Sequence, residues 1–491
     1  MPVSEQQVQT REPSLLVAAL PILFLILLLG AAVILFGDDA SSGPSQLALI
    51  FAAVFTAVIG LLLGQKYDEL EQAMIRSISL TFKACLILLM VGSMIGAWML
   101  AGTAPAIIYF GLGILDPSWF YPACFIICAL VSVSIGSSWT TAATVGLALI
   151  SIAQILGLQP EIAAGAIISG AYFGDKMSPL SDSTNLAPAM VGADLFSHIR
   201  NMLWTTIPAA VISVILFSLI SSDVTDAAGT LREIKQTQTL LDDQFYLGFF
   251  AFVPLILLLV LAWSKVPALP TIVAGTVAGC VVAVVFQSDV VLQFADPAGE
   301  LAVGLAYFKG IWGVMTSGFI ASVGNDTLDS LLSRGGMEAM LTTVWLIISA
   351  MCFGGMMEKT GLLQRLVKAA LRGVKGTGSL ILVTVLTSIG LNVVAADQYI
   401  AIVLPGRMYQ LEFERRGLAP ESLSRTLEDA GTMTSPLVPW NTCGAFMAAS
   451  LGVATFDYAP WAFLCLLTPV IAVVYGFFDI RIMRLNTAVQ E

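Results

Sequence analysis

Two acids and a lysine stand among hydroxyl and amide side chains in the run Gly174-Asp175-Lys176-Met177-Ser178-Pro179-Leu180-Ser181-Asp182-Ser183-Thr184-Asn185. Apolar stretches flank it at residues 162–173 and 186–191. Pro179 breaks a helix there, so backbone carbonyls join the side-chain oxygens. Irregular polar backbone at membrane depth is tolerated only where protein or a water-filled cavity satisfies it. By analogy with other hard cations, a sodium ion needs about five or six oxygens to replace its water. Asp182, Ser183 and Asn185 are the expected sodium ligands, with Ser178, Ser181 and Thr184 beside them. Desolvation favours the neutral form of a carboxylic acid, and a bound cation favours the ionised form. One carboxylate therefore holds a proton or a sodium ion, and competition between the two is the simplest exchange mechanism.

Three further polar interruptions carry compatible chemistry. Residues 135–141 bring Ser137, Ser138, Thr140 and Thr141, and residues 391–398 bring Asn392 and Asp397. Residues 432–442 bring Thr434, Ser435, Asn441 and Thr442, with Glu428 and Asp429 just before the break. Ionisable residues inside a membrane are functional candidates by default, because burial there is expensive. The proton- or ion-carrying candidates are Asp182, Asp397 and Asp175. Asp175 and Lys176 are adjacent, so on a helix they do not face each other. Lys176 is either a structural counter-charge or a ligand for a substrate anion.

The chain that must position these groups has 491 residues, 57% hydrophobic and 11% charged, against about 25% charged in a soluble domain. Mean hydropathy is +0.90, and several apolar runs reach the roughly 20 residues that cross a bilayer as helix. The expected fold is an all-α polytopic membrane protein. Net charge is −11, with the acids mostly in loops, which gives no reason to expect nucleic acid as a partner. No Gly-Lys dipeptide occurs, so there is no phosphate-binding loop. No nucleophile–base constellation is evident and only one histidine occurs; neither an enzyme nor a cofactor is expected. That histidine, His198, sits beside Arg200 and reads as a surface residue. The seven cysteines read as small packing residues.

Taken in order, the expected spans are 15–36 (uncleaved, with Arg11 inside), 47–63, 80–100, a broken span at 161–191, 202–221, 245–263, 269–286, 340–357, a broken span at 427–451, and 461–478. Two aspartates and no basic residue put loop 37–45 outside; Lys66 and Arg76 put the next loop inside. Lys83 reads as snorkelling from the inner end of its span. Residues 104–115 are too short to cross and read as interfacial. Residues 119–156 and 380–408 each read as two arms meeting at a polar tip, a re-entrant hairpin, with a pair of full spans as the alternative. Residues 222–244 read as a flexible boundary between halves, and 287–336 as a polar outer segment of unassigned structure. Lys359, Arg365, Lys368, Arg372 and Lys375 interleave with leucines as an amphipathic helix on the inner face. About ten crossings and two hairpins place both termini inside. The divisions are 1–76, 77–222 (first repeat), 223–336 and 337–491 (second repeat).

The repeat rests on two matches. Ser178-Pro179-Leu180 recurs as Ser435-Pro436-Leu437, 257 positions later, and Ser134-Ile135-Gly136 recurs as Ser388-Ile389-Gly390, 254 later. Each copy orders its parts as span, interfacial segment, polar-tipped hairpin, broken span, closing span. The charges place the two interfacial segments on opposite sides, which makes the repeat inverted. Paired broken helices in inverted repeats point to a secondary transporter with its site near the midplane.

The stretch Gly170-Ala171-Tyr172-Phe173-Gly174-Asp175-Lys176-Met177-Ser178-Pro179-Leu180-Ser181-Asp182-Ser183-Thr184-Asn185-Leu186-Ala187-Pro188 closely resembles the NhaC-type sodium/proton antiporter family. Asp429-Ala430-Gly431 and Ser435-Pro436-Leu437-Val438-Pro439-Trp440-Asn441-Thr442 resemble the same family's second half. The resemblance covers most of the chain after about Leu47, least of all residues 287–336. It implies a bacterial inner-membrane carrier of the ion-transporter superfamily, with inverted repeats and re-entrant hairpins. The implied activity is exchange of sodium for protons. The alternative is a sodium- or proton-coupled carrier of a small organic anion or amino acid. Small ions and the lipid bilayer are the expected partners, and a homodimer is a candidate assembly.

Overall fold

The computed structural model describes residues 13–36, 40, 43–221, 227–322 and 324–485. Arg11, the aspartates at 38 and 39 and the last six residues, which entered the orientation argument, lie outside the described residues. Among those described, every regular element is helical, apart from one isolated bridge between Leu418 and Arg484. Among the described residues, nine helices are long and apolar enough to cross a membrane, or up to eleven if each of two bent pairs is one span.

The chain opens with α1 (Leu15–Phe36), α2 (Pro44–Leu62) and α3 (Tyr67–Leu100). At 34 residues and about 1.5 Å per residue, α3 is roughly 50 Å long. Lys83 therefore lies halfway along it, near the start of its apolar part at residues 80–100. Then α4 (Thr103–Ile114) leads to α5 (Phe120–Ile135), α6 (Ser138–Thr141), a π-helical turn at Ala142–Gly146 and α7 (Leu147–Ile155). α8 (Pro160–Met177) and α9 (Asp182–Val191) form the first broken helix, and α10 (Leu195–Ser221) closes the first half.

The middle departs from expectation. Residues 222–226 lie outside the described residues, but 227–244 form a helix, α11 (Ala227–Gln244), where a flexible link was expected. It turns by 96° into a short 3₁₀ segment and α12 (Val253–Trp263), followed by α13 (Ala268–Phe286). The unassigned polar segment folds as α14 (Ser288–Ala295), α15 (Val303–Ser317) and α16 (Asp326–Leu332). Its glycines allow backbone to lie on backbone: the Gly336 N–H donates to the Gly92 carbonyl at 2.7 Å.

The second half repeats the order of the first. α17 (Leu341–Lys359) and α18 (Leu362–Leu371) precede the pair α19 (Thr377–Val394) and α20 (Gln398–Arg415). α21 (Pro420–Leu427), a π-helical turn at Glu428–Thr432 and α22 (Thr442–Leu451) form the second broken helix; α23 (Thr455–Tyr458) and α24 (Phe463–Phe478) end the chain.

Both polar-tipped pairs fold back on themselves. At the foot of the first, the Gln159 N–H donates to the Tyr121 hydroxyl at 3.0 Å; at the foot of the second, the Arg416 guanidinium donates to the Val374 carbonyl at 3.1 Å. α5 and α8 run side by side, so close that a Cβ on Gly174 would lie 2.3 Å from the Val133 nitrogen. α3 and α17 are antiparallel: Gly92 lies against Met340, and Ser77 against Gly355.

Candidate functional site

Each hairpin tip docks on the break of its own half. Gly136 ends α5 at φ +76°, and a Cβ there would meet Leu180 and Ser181 at under 3 Å; only glycine both adopts this conformation and permits the approach. Ser137 then caps α6, accepting from the Thr140 N–H at 3.2 Å. The next residue, Ser138, donates its hydroxyl to Asp175 Oδ2 at 2.6 Å, while Ser181, in the break, donates to Asp175 Oδ1 at 2.6 Å. Both oxygens of this buried carboxyl are thus held by serines from two separate elements.

In the second half the tip is Ala395-Ala396-Asp397. Ala396 stands at φ +56°, a strained conformation for a residue with a Cβ, and such strain gathers at functional sites. Its carbonyl accepts from the Thr442 N–H at 3.0 Å. Asp397 caps α20 by accepting from the Ile400 N–H at 3.1 Å. Gln398 accepts from the Ser435 hydroxyl and the Cys443 thiol, both at 2.9 Å.

The two halves meet around one cavity of about 580 Å³. Ser138, Thr140, Asp175, Asp182 and Ser183 line it from the first half, and Asp397, Gln398, Tyr399 and Thr442 from the second. Trp139 stacks on Phe446 across the seam at 4.1 Å between ring centroids. Lys83 on α3 and Lys265 in the turn before α13 also line it. All three acids singled out in the sequence therefore face one space.

Other expected ligands do not line the cavity and instead bond to backbone. Thr141 donates to the Ser137 carbonyl at 2.9 Å, and Ser178 accepts from the Leu180 N–H at 3.3 Å. Thr184 donates to the Asp175 and Lys176 carbonyls at 2.7 and 3.0 Å. The Asn185 amide donates to the Pro179 and Ser181 carbonyls at 2.8 and 2.7 Å. Thus Asp182, Ser183 and Asn185 are not presented together: the first two reach the cavity, and the third closes the break. In the second half Asn392 donates to the Gly431 carbonyl and the Thr434 hydroxyl at 2.8 and 2.9 Å, and Asn441 donates to Asn392 Oδ1 at 3.1 Å. Hydroxyls and amides commonly compete for backbone groups in this way.

Sequence reasoning missed the partner of Lys176. Its ammonium forms an ion pair with Asp429, and both side chains are fully buried. Thr205 donates to the same Asp429 oxygen at 2.9 Å, and Arg425 stands 3.9 Å from the other. The only sequence signal was that Asp429 occurs in the stretch that resembles the family's second half. His198, expected on the surface, is fully buried. Ser424 covers its Nδ1 at 2.8 Å, a contact from a residue far along the chain. Lys83, Lys265, Gln398 and Tyr399 were also missed, since nothing local marks them as wall residues.

One family model and three known proteins match this chain in sequence. The model of the "Na+/H+ antiporter family" matches residues 170–480. A Na(+)/H(+) antiporter NhaC of Alkalihalophilus pseudofirmus is 38% identical, over 94% of this chain and 96% of its own. A malate-2H(+)/Na(+)-lactate antiporter of Bacillus subtilis is 36% identical, over 88% and 89%. An arginine/ornithine antiporter of Halobacterium salinarum is 36% identical, over 95% and 92%.

Proposed function

The chain belongs to the Na+/H+ antiporter family, and on that basis we propose that it exchanges sodium for protons at the cavity where its two halves meet. One observation carries this reading: Asp175, Asp182 and Asp397, drawn from both halves, line a single space. Asp175 is the centre of the proposed exchange. A hydroxyl that donates one hydrogen bond still has lone pairs to offer. Ser138, which lines the cavity, can therefore hold the Asp175 carboxylate and face a cation at once, while Ser181 holds the other carboxylate oxygen. Asp182, Ser183, Asp397 and Thr442 supply further oxygens. Protonation of Asp175 removes the charge that makes sodium favourable, so the two cargoes exclude each other.

The antiparallel packing of α3 on α17 supports an inverted repeat built from residues 77–222 and 337–491, as do the hairpin feet: the first lies near the start of α24, with Gly165 against Trp461, and the second near its end, with Gly378 against Phe477. A site shared between such halves opens to one side or the other as the halves move. The basic residues of α18 and those at 481 and 484 favour placing that face, with both termini, in the cytoplasm of a bacterial inner membrane.

A second reading has its own support. The cavity is larger than one ion needs and within the range of small-molecule sites, and Lys83 and Lys265 stand on its wall. A small organic anion coupled to sodium or protons would fit that chemistry. Proteoliposomes loaded with a pH dye separate the two readings. Sodium-driven proton flux without organic solute supports antiport; flux that requires an added carboxylate or amino acid supports the second reading.

A further inference from the structure

Glu428 lies on the π-helical turn of the second broken helix, fully buried, and neither of its carboxyl oxygens has a hydrogen-bond partner among the described residues. The Thr432 hydroxyl, further along the same turn, lies against it but makes no hydrogen bond of good geometry. Ser388 on α19 is also buried without a partner. The bond from Asn392 to the Gly431 carbonyl sets the register of α19 on this turn and brings Ser388 to about the level of Glu428. Short π-helical turns inside α-helices occur frequently at functional sites. A buried polar group without partners is rare and calls for a cause, and a bare carboxylate in such a place is too costly to keep.

The charged groups within electrostatic reach of Glu428 are Lys176 and Asp175 on α8 and Asp429 beside it. Lys176 is already matched by Asp429, and Asp175 is matched by its serines and the cavity. Of the other elements packed on this turn, α19 carries no titratable side chain. α9 carries Asp182, α24 carries Cys465 and Tyr475, and α21 carries Glu421 and Arg425. α20 carries Tyr399, Arg407, Tyr409 and the acids and arginine of its far end. Arg425 is directed elsewhere, to Asn201 at 3.0 Å and the Arg481 carbonyl at 2.9 Å. Among the described residues, no cation is therefore dedicated to Glu428.

We infer that Glu428 is a second proton-carrying residue of the exchange cycle, a buried carboxyl whose proton leaves when sodium enters the Asp175 cavity. The inference rests on the antiport reading. Sodium entering the cavity displaces the Asp175 proton, which conserves the charge there. Loss of the Glu428 proton to water breaks a second O–H bond, so two protons leave per sodium bound and the cluster, which keeps Lys176, becomes more negative by one charge.

The full chain in detergent, weakly buffered with a pH indicator, tests this directly. Sodium chloride, against choline chloride, releases protons from the wild type. Glu428→Gln releases one proton fewer per sodium while keeping its sodium-dependent thermal shift. Release of the same number overturns the assignment to Glu428 alone; a wild type that releases none overturns the antiport reading with it. Glu428→Asp keeps the number but moves the pH midpoint of release, and this answers the question if the glutamine variant does not fold. An unmoved midpoint overturns the inference.

Discussion

Lys176 and Asp429 are 253 positions apart in the chain and meet as a fully buried ion pair that joins the first broken helix to the second. Removing one partner of such a pair leaves the other charge uncompensated, at a cost of about 3–5 kcal/mol. Lys176→Met and Asp429→Leu are each expected to lower thermal stability sharply. The double variant removes both charges of the pair, while Arg425 keeps its bonds to Asn201 and the Arg481 carbonyl, and it recovers most of the loss. A double variant as unstable as either single one would show that the two residues act independently.

The serine clasp on Asp175 predicts a graded effect on sodium. A hydrogen bond to a charged group is worth about 1.5–3 kcal/mol, so Ser138→Ala and Ser181→Ala should each weaken apparent sodium affinity roughly ten- to hundredfold. Ser178→Ala, at a residue that does not line the cavity, should leave sodium affinity near the wild-type value. Titration of sodium-dependent flux measures all three.

Competition for one carboxyl fixes the sign of the pH dependence. As pH falls, protons occupy the site and the apparent KM for sodium rises, by about tenfold per pH unit for each displaced proton. The maximal rate at saturating sodium changes far less. A KM that is flat from acid to alkaline pH, with a falling maximal rate, would place the proton on a different group from the sodium.

Gly174 tests whether the close contact of α5 and α8 positions the site. A Cβ there would meet the Val133 nitrogen at 2.3 Å. Gly174→Ala should cost about 1–3 kcal/mol through overpacking, and it should impair exchange by drawing Ser138 away from Asp175. Gly390→Ala on α19 has nothing within 4 Å of the added carbon and should be tolerated. Melting curves with flux assays on both variants separate packing from propensity.

What could be read from the sequence follows what is local. The first span, 15–36, coincides with α1, because a continuous apolar run needs no partner to declare itself. The polar tips and breaks were visible for the same reason: a Ser-Pro-Leu between apolar stretches is a local contradiction. The division of labour within those tips was not visible. Asn185 and Asp182 look alike as ligands until the fold turns one to the Pro179 and Ser181 carbonyls and the other to the cavity. His198 has polar sequence neighbours and looks exposed, yet Ser424 arrives from 226 positions away to bury it. Lys176 lacked its partner for the same reason. Helix α11 was missed because its polar composition resembles a linker, and its ordering depends on contacts such as Gln238 to the Tyr109 carbonyl at 3.0 Å.

The central claim is that Asp175 binds sodium and a proton in turn. The direct measurement is sodium-dependent proton flux in proteoliposomes holding either the wild type or Asp175→Asn, with no organic solute present. The wild type should exchange. The variant should not, while eluting and melting like a folded protein. Wild-type flux in Asp175→Asn would contradict the account.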